Sequence, residues 1–139
     1  MLLHIVARGK IGRSPEAELV ERYLKRISWP TRVTELGDSS PLPPTAPNSV
    51  TVALDERGTP LSSAEFAAKL DSWRDAGRRE VRFLIGAADG LGEAQRRTAD
   101  LLWSFGPATW PHLMVRAMLA EQLFRATSIL ANHPYHREG

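Results

Sequence analysis

Apolar runs of strand length recur at Leu2–Ala7, Val50–Leu54, Val81–Ile85 and Leu101–Phe105, and Arg32–Leu36 alternates polar and apolar residues as a further strand. Most are separated by segments of helical periodicity. A parallel strand can follow another only after the chain has crossed back over the sheet, and a helix is the usual way to cross. The alternation therefore predicts an α/β domain on a mostly parallel sheet. Ligands of such sheets bind outside the carboxyl ends of the strands. That rule places Leu54-Asp55, Gly86–Gly92 and Phe105–Trp110 together at one edge.

The helices carry their own punctuation. Ser14-Pro15 supplies an N-cap and a first-turn proline, with Glu16 and Glu18 suited to the helix dipole, and Leu19, Val20 or Tyr23, and Ile27 as the apolar stripe before Trp29-Pro30. Ser62-Ser63-Ala64-Glu65 has capping-box spacing and opens a helix through Phe66, Leu70 and Trp73 that stops at Gly77. Residues 37–48 hold four of the ten prolines and read as a loop. Asp55-Glu56-Arg57-Gly58 reads as the turn closing the third strand, and a short helix is expected from Glu93 to Asp100.

The last helix pattern, Pro111 to Ala131, is apolar nearly all round: Leu113, Met114, Val115, Met118, Leu119, Leu123, Phe124, Ile129 and Leu130. Such a helix is buried on several sides. In one small domain that points to an oligomer interface or an unusual threading. Arg116 and Arg125 within it need partners, and Glu121 stands four residues before Arg125.

The length of 139 residues fits one domain with a single core. With no cysteine, disulfides and thiolate chemistry are excluded. No apolar run approaches membrane-spanning length, and the N-terminus lacks the basic region of a signal peptide, so no membrane partner and a cytoplasmic location are expected. The net charge of +2 is too small to claim nucleic acid by itself. Residues 1–34 hold seven Lys/Arg against three Asp/Glu, and Arg8, Lys10, Arg13, Arg22, Lys25 and Arg26 are candidates for a basic face. A basic face suits phosphate backbones, but an ordinary solvated helix looks the same and is the preferred reading.

Nucleotide motifs fail: Gly86, Gly90 and Gly92 do not make G-x-G-x-x-G, and there is no P-loop. The glycines after the fourth strand form a plain loop or a place where a flat ligand approaches the backbone. His133 and His136 are a weak metal pair at best, so no metal site is expected, and His4 in the first strand reads as structural. Directly after the last helix, Asn132-His133-Pro134-Tyr135-His136-Arg137 packs two imidazoles, a phenol and a guanidinium into five residues. A frayed polar end is the ordinary fate of such a tail.

Taken in order, Leu84-Ile85-Gly86-Ala87-Ala88-Asp89-Gly90-Leu91, Trp103-Ser104-Phe105, Thr109-Trp110-Pro111-His112, Val115-Arg116, Glu121-Gln122-Leu123-Phe124-Arg125-Ala126 and the ending Asn132–Arg137 resemble the RlmH family of SPOUT-class methyltransferases. Tyr23-Leu24-Lys25-Arg26 matches too, so the resemblance spans residues 1–139 as one domain. It implies an α/β parallel-sheet sandwich with a C-terminal trefoil knot, a rare exception to ordinary topology. It also implies a homodimer formed through the last helix. The reaction implied is methyl transfer from S-adenosylmethionine to N3 of a pseudouridine in helix 69 of 23S rRNA, on the assembled ribosome.

By position, Leu54, Gly86 and Phe105-Gly106-Pro107-Ala108-Thr109-Trp110 are implied to line the cofactor pocket. His112, Tyr135, His136 and Arg137 are implied to face the RNA, with the tail reaching the site of a partner subunit. His112 or His136 are candidates to accept the N3 proton, and positive surroundings that stabilise the anion would also serve. The chain departs from the family at Ala87, at Gly106-Pro107 and in residues 37–49, which lack a charged, helix-forming stretch. Rival readings are a SPOUT enzyme acting on another RNA such as tRNA, a non-catalytic ribosome-binding module, and a small-metabolite α/β enzyme.

Overall fold

Every pairing in the five-stranded sheet is parallel, in the order β2-β1-β4-β3-β5. The computed structural model describes residues 1–87 and 90–137; Ala88 and Asp89 of the expected glycine turn lie outside the described residues. The elements are β1 (Leu2–Arg8), α1 (Pro15–Leu24), β2 (Thr31–Leu36), β3 (Ser49–Pro60), α2 (Ser63–Asp75), β4 (Glu80–Ile85), α3 (Glu93–Thr98), β5 (Leu101–Ser104) and α4 (His112–Leu130). The α/β parallel-sheet architecture is the one the alternation predicts.

Capping works as the sequence requires. The Ser14 hydroxyl accepts from the Ala17 N–H at the start of α1, and Ser62 and Glu65 form a reciprocal capping box at the start of α2. α1 stops at Leu24, and Ile27 reaches the core through a tight turn in which its N–H bonds the Leu24 carbonyl. His4 is structural: its ring nitrogens lie 2.7 Å from Glu80 Oε1 and 2.7 Å from Thr34 Oγ1.

Alternate residues of the strands face two layers. On one face Leu3, Ile5, Val52 and Phe83 pack with Phe66 and Leu70 of α2 and Leu119 and Leu123 of α4. Phe66 stacks on Trp103 of β5 with ring centroids 4.0 Å apart. On the other face Val6, Ala53 and Leu84 lie against Leu42 of the proline-rich loop and Leu91 and Ala99 beside α3. Buried Arg82 holds that loop, donating to the Pro43 carbonyl at 2.5 Å. The loop thus covers this face of the sheet.

The main departure from expectation is in β3. Its pairing with β4 ends at Ala53, yet the strand continues to Pro60, because Leu54 and Thr59 both align with Trp103 of β5. Asp55-Glu56-Arg57-Gly58 is therefore a wide bulge inside a strand rather than the turn that closes it. Bulges re-aim side chains and are frequent beside functional sites. A Cβ on Gly58 would stand 2.6 Å from the carbonyl carbon of Leu102, so only glycine lets the bulge lie this close to β5.

Arg116, 1% exposed, finds its partner in Glu35 at the end of β2 and also donates to the Gly9 carbonyl at 3.2 Å. Glu35 accepts from the Ile11 N–H as well, at 2.9 Å. Burial works to raise the Glu35 pKa. Hydrogen bonds from Arg116 and Ile11, with the charges of Arg116 and Lys10, outweigh it and hold the carboxyl below its ordinary 4.5.

Two stability predictions follow from these contacts. Glu35→Ala strands a buried guanidinium and should cost about 3 kcal/mol in urea unfolding, most of it regained when Arg116→Met is added. A carboxyl depressed by folding stabilises above its unfolded pKa and ceases to do so as pH falls through its folded one. The gap between wild type and Glu35→Ala should therefore be full at neutral pH and shrink below about pH 4.5. Gly58→Ala should cost about 1–3 kcal/mol, because its contact is with backbone and not with a side chain that can turn away.

Candidate functional site

The bulge of β3 and the carboxyl ends of β4 and β5 open onto a cavity of about 550 Å³. Its walls come from three loops that the chain separates widely: the bulge of β3, the turn after β4, and the segment from Phe105 to His112 that leads from β5 into α4. That last segment runs from the sheet edge to β1, where His112 Nε2 lies 3.8 Å from the point a Cβ on Gly9 would occupy. Leu54, Gly86, Phe105, Gly106, Ala108, Thr109, Trp110 and His112 all line the cavity. Pro107 does not line it, although its neighbours do. Gly86 is a close-approach glycine, since a Cβ there would stand 2.4 Å from the Gly90 carbonyl carbon.

The bulge ties the other two lips together. Thr109 donates to Glu56 Oε2 at 2.6 Å, and Ser104 donates to the Glu56 carbonyl at 3.1 Å. On the opposite side Arg96 of α3 donates to the Leu91 carbonyl at 2.6 Å while its Nε lies 3.7 Å from Asp55 Oδ2. Burial works to raise the Asp55 pKa. Hydrogen bonds from the Arg57 backbone and side chain, and the charges of Arg57 and Arg96, more than offset it and hold the carboxyl below its usual range. Asp55 therefore stays ionised at neutral pH, as a fixed negative wall.

The donor set suits one kind of guest. Leu54, Ile85, Phe105, Val115 and Trp110 offer apolar surface for a flat base, the 105–110 segment offers peptide groups, and Asp55 and Glu56 offer negative charge to a cationic group. Cofactor sites typically combine mostly apolar walls with a few fixed polar groups in this way. His112 stands at the rim, in the first turn of α4.

Tyr135, His136 and Arg137 lie elsewhere. The tail leaves the far end of α4 and folds back onto Phe124 and Arg125, about 18–20 Å along the helix axis from His112. Tyr135 packs edge-on against Phe124 with centroids 4.6 Å apart, and the Arg125 guanidinium lies 4.8 Å from its ring centre. His136 Nδ1 is 3.1 Å from Arg125 Nη1, and Glu121 accepts from Arg125 Nε at 2.6 Å. Burial, then a hydrogen bond with Tyr23, push the Tyr135 phenol up, so it remains a protonated donor. Arg137 is exposed. One chain therefore does not bring the tail and the cavity together.

A second cavity of about 610 Å³ lies between α1, α4 and the end of β3, with Leu19, Met114, Ala117 and Met118 among its walls. Met114 and Trp110 are the most exposed apolar side chains of the α4 region, at 40% and 41%. Cavity residues not expected individually from the sequence include Glu56, Arg57 and Arg96. For Glu56 and Arg57 the signal was their place directly after the apolar run Val50–Leu54, at the sheet edge where ligands bind; Arg96, within α3, had none. The candidate basic face does not form as one surface. Arg8 is committed to the carbonyls of Gly37 and Ser40, and Arg26 lies over the Phe124 ring at the far end of α4.

Comparisons with known proteins agree with this architecture. A family model described as "Predicted SPOUT methyltransferase" matches residues 38–136. The chain is 74% identical over 140 residues to the "Ribosomal RNA large subunit methyltransferase H" of Rhizorhabdus wittichii, with all of both chains covered. It is 69% identical over 141 residues to the protein of the same name from Novosphingobium aromaticivorans, again over the whole of both. A solved structure, a probable methylase family protein from Haemophilus influenzae, aligns with a TM-score of 0.59 at 13% identity, covering 98% of this chain and 70% of that one, and so shares the fold. With the family model spanning most of the chain and these relatives spanning all of it, the protein belongs to the SPOUT methyltransferases, in the branch of the large-subunit ribosomal RNA methyltransferases H.

Proposed function

We propose that this protein transfers the methyl group of S-adenosylmethionine to N3 of a pseudouridine in helix 69 of 23S rRNA, on the assembled ribosome in the cytoplasm. The observation that carries the reading is the cavity at the β3 bulge and the carboxyl ends of β4 and β5, in a chain whose full-length relatives bear a ribosomal RNA methyltransferase name. When bound, S-adenosylmethionine supplies an electrophilic methyl on a sulfonium centre. Leu54 and Trp110 would bracket its base, the peptide groups around Gly86 and Gly106–Thr109 would read its polar edges, and the carboxylates of Asp55 and Glu56 would favour its positive charge.

The protein's own contribution is alignment and charge. Holding the acceptor nitrogen in line with the methyl removes most of the entropic cost of the encounter. The acceptor must also lose its N3 proton. His112, at the rim, is placed to accept it, and His136 is the alternative if a second chain brings its tail to the site. Arg137 suits a phosphate, and Tyr135, kept protonated, suits stacking on or donating to a base.

The distance along α4 supports a homodimer. Tyr135, His136 and Arg137 reach a cavity only if it belongs to another copy, and the apolar groove beside Met114 and Met118 continues from the cavity wall and offers that copy a seat. The threading we infer is the trefoil knot, with α4 entered from the 105–111 segment. Among the described residues no helix is long and apolar enough to cross a membrane.

Two measurements check the assignment. With labelled S-adenosylmethionine and ribosomes from a strain lacking the enzyme, the wild type should label 23S RNA. A chain truncated after Asn132 should bind the cofactor with unchanged Kd yet transfer label about 100-fold more slowly or worse. Label on tRNA alone would move the enzyme to another substrate, and no cofactor binding would end the methyltransferase reading. Trp110→Ala should weaken cofactor binding roughly tenfold in calorimetry, through lost aromatic contact, with little change in unfolding midpoint.

A further inference from the structure

We propose that the loop joining β1 to α1, Gly9–Arg13, is the surface that receives the phosphate backbone of the RNA, with Lys10 and Arg13 as its contacts. The inference rests on the proposed RNA substrate and assigns the side from which that substrate approaches.

The loop is fixed at the acceptor side of the cavity. Gly9 donates its N–H to the Leu36 carbonyl at 2.8 Å and its carbonyl accepts from buried Arg116 at 3.2 Å. Ile11 donates to Glu35 at 2.9 Å. Lys10 therefore stands between two anchored residues, in a loop whose Gly9 abuts His112 at the cavity rim. Both Lys10 and Arg13 are exposed, and neither forms an ion pair with a carboxylate among the described residues. Glu35, the acid nearest in the network, is already engaged by Arg116 and Ile11.

Other cations around the cavity are committed to the protein. Arg57 and Arg96 bind Asp55, with Arg96 also holding the Leu91 carbonyl, and Arg8 holds the carbonyls of Gly37 and Ser40. The opposite lip presents Asp55, paired with Arg57 and Arg96, and Glu56, which accepts from Thr109. The cations lining the bulge side are thus taken up by Asp55, whereas Lys10 and Arg13 are exposed on the His112 side and hold no side-chain hydrogen bond among the described residues. Phosphate contacts of this kind fix register without reading sequence. They leave base choice to the site itself.

The test compares wild type, the double variant Lys10→Ala/Arg13→Ala, and the charge-matched control Arg78→Ala/Arg79→Ala, whose residues are exposed before β4 at the opposite, amino ends of the strands. Cosedimentation with ribosomes from a strain lacking the enzyme is followed from roughly 50 to 200 mM salt. Losing two phosphate contacts should flatten the log–log salt slope by about 1.4–1.8, on the order of tenfold over that range. Affinity for S-adenosylmethionine should be unchanged, showing an intact fold. An unchanged slope in Lys10→Ala/Arg13→Ala, an equal change in the control, or no ribosome binding by wild type would overturn the proposal. Methyl transfer by wild type with an unaffected double variant would remove the surface and leave the enzyme. A selective loss of binding without any methyl transfer by wild type would keep the surface and remove the enzyme.

Discussion

β3 has two neighbours whose registers cannot both be continued past Leu54. Pairing with β4 ends at Ala53, and pairing with β5 resumes at Thr59 only after four residues have been looped out. The rest of the site depends on that break. The bulge supplies Asp55, which reaches the turn after β4 through Arg96, and Glu56, which reaches the loop after β5 through Thr109. A regular strand would have sent these side chains to alternate faces of the sheet, where neither loop could be held. Gly58 is the local condition for the break, because any side chain there meets the backbone of Leu102.

α4 is the second organising element, and its two ends do different things. Near its start Arg116 is buried against Glu35 and Gly9, fixing the first turn, and with it His112, to the ends of β1 and β2. Near its end Glu121 and Arg125 gather Tyr135 and His136 against the helix. A buried ion pair contributes little net stability, but removing one member is costly, which makes it a strict fixer of position. The cavity and the tail are thereby held apart along one helix.

Much of the fold was legible from residue chemistry. The Ser14 cap, the Ser62–Glu65 capping box, the four apolar runs and the alternating Arg32–Leu36 strand appear where their patterns place them. So does the Glu121–Arg125 pair, set by helical spacing alone. Hidden from the sequence were features that depend on partners distant along the chain. Asp55–Gly58 has the composition of a turn, and only the presence of β5 beside it makes a bulge. Arg116 announced the need for a partner without identifying Glu35, which lies 81 residues away. The basic residues near the N-terminus were indistinguishable on paper; three-dimensional contacts separate Arg8 and Arg26, whose guanidinium groups are held by the protein, from Lys10 and Arg13, whose side chains are exposed and make no hydrogen bond among the described residues.

The central claim is that the cavity presents a methyl donor to one nitrogen of one ribosomal base. The most direct measurement is mass spectrometry of 23S rRNA fragments, taken from ribosomes lacking the modification after incubation with the protein and S-adenosylmethionine. The account predicts a single added methyl on a pseudouridine of helix 69, with the N3 position blocked to reagents that attack it. A methyl at another base or ring position, or none while the cofactor is demonstrably bound, would contradict it.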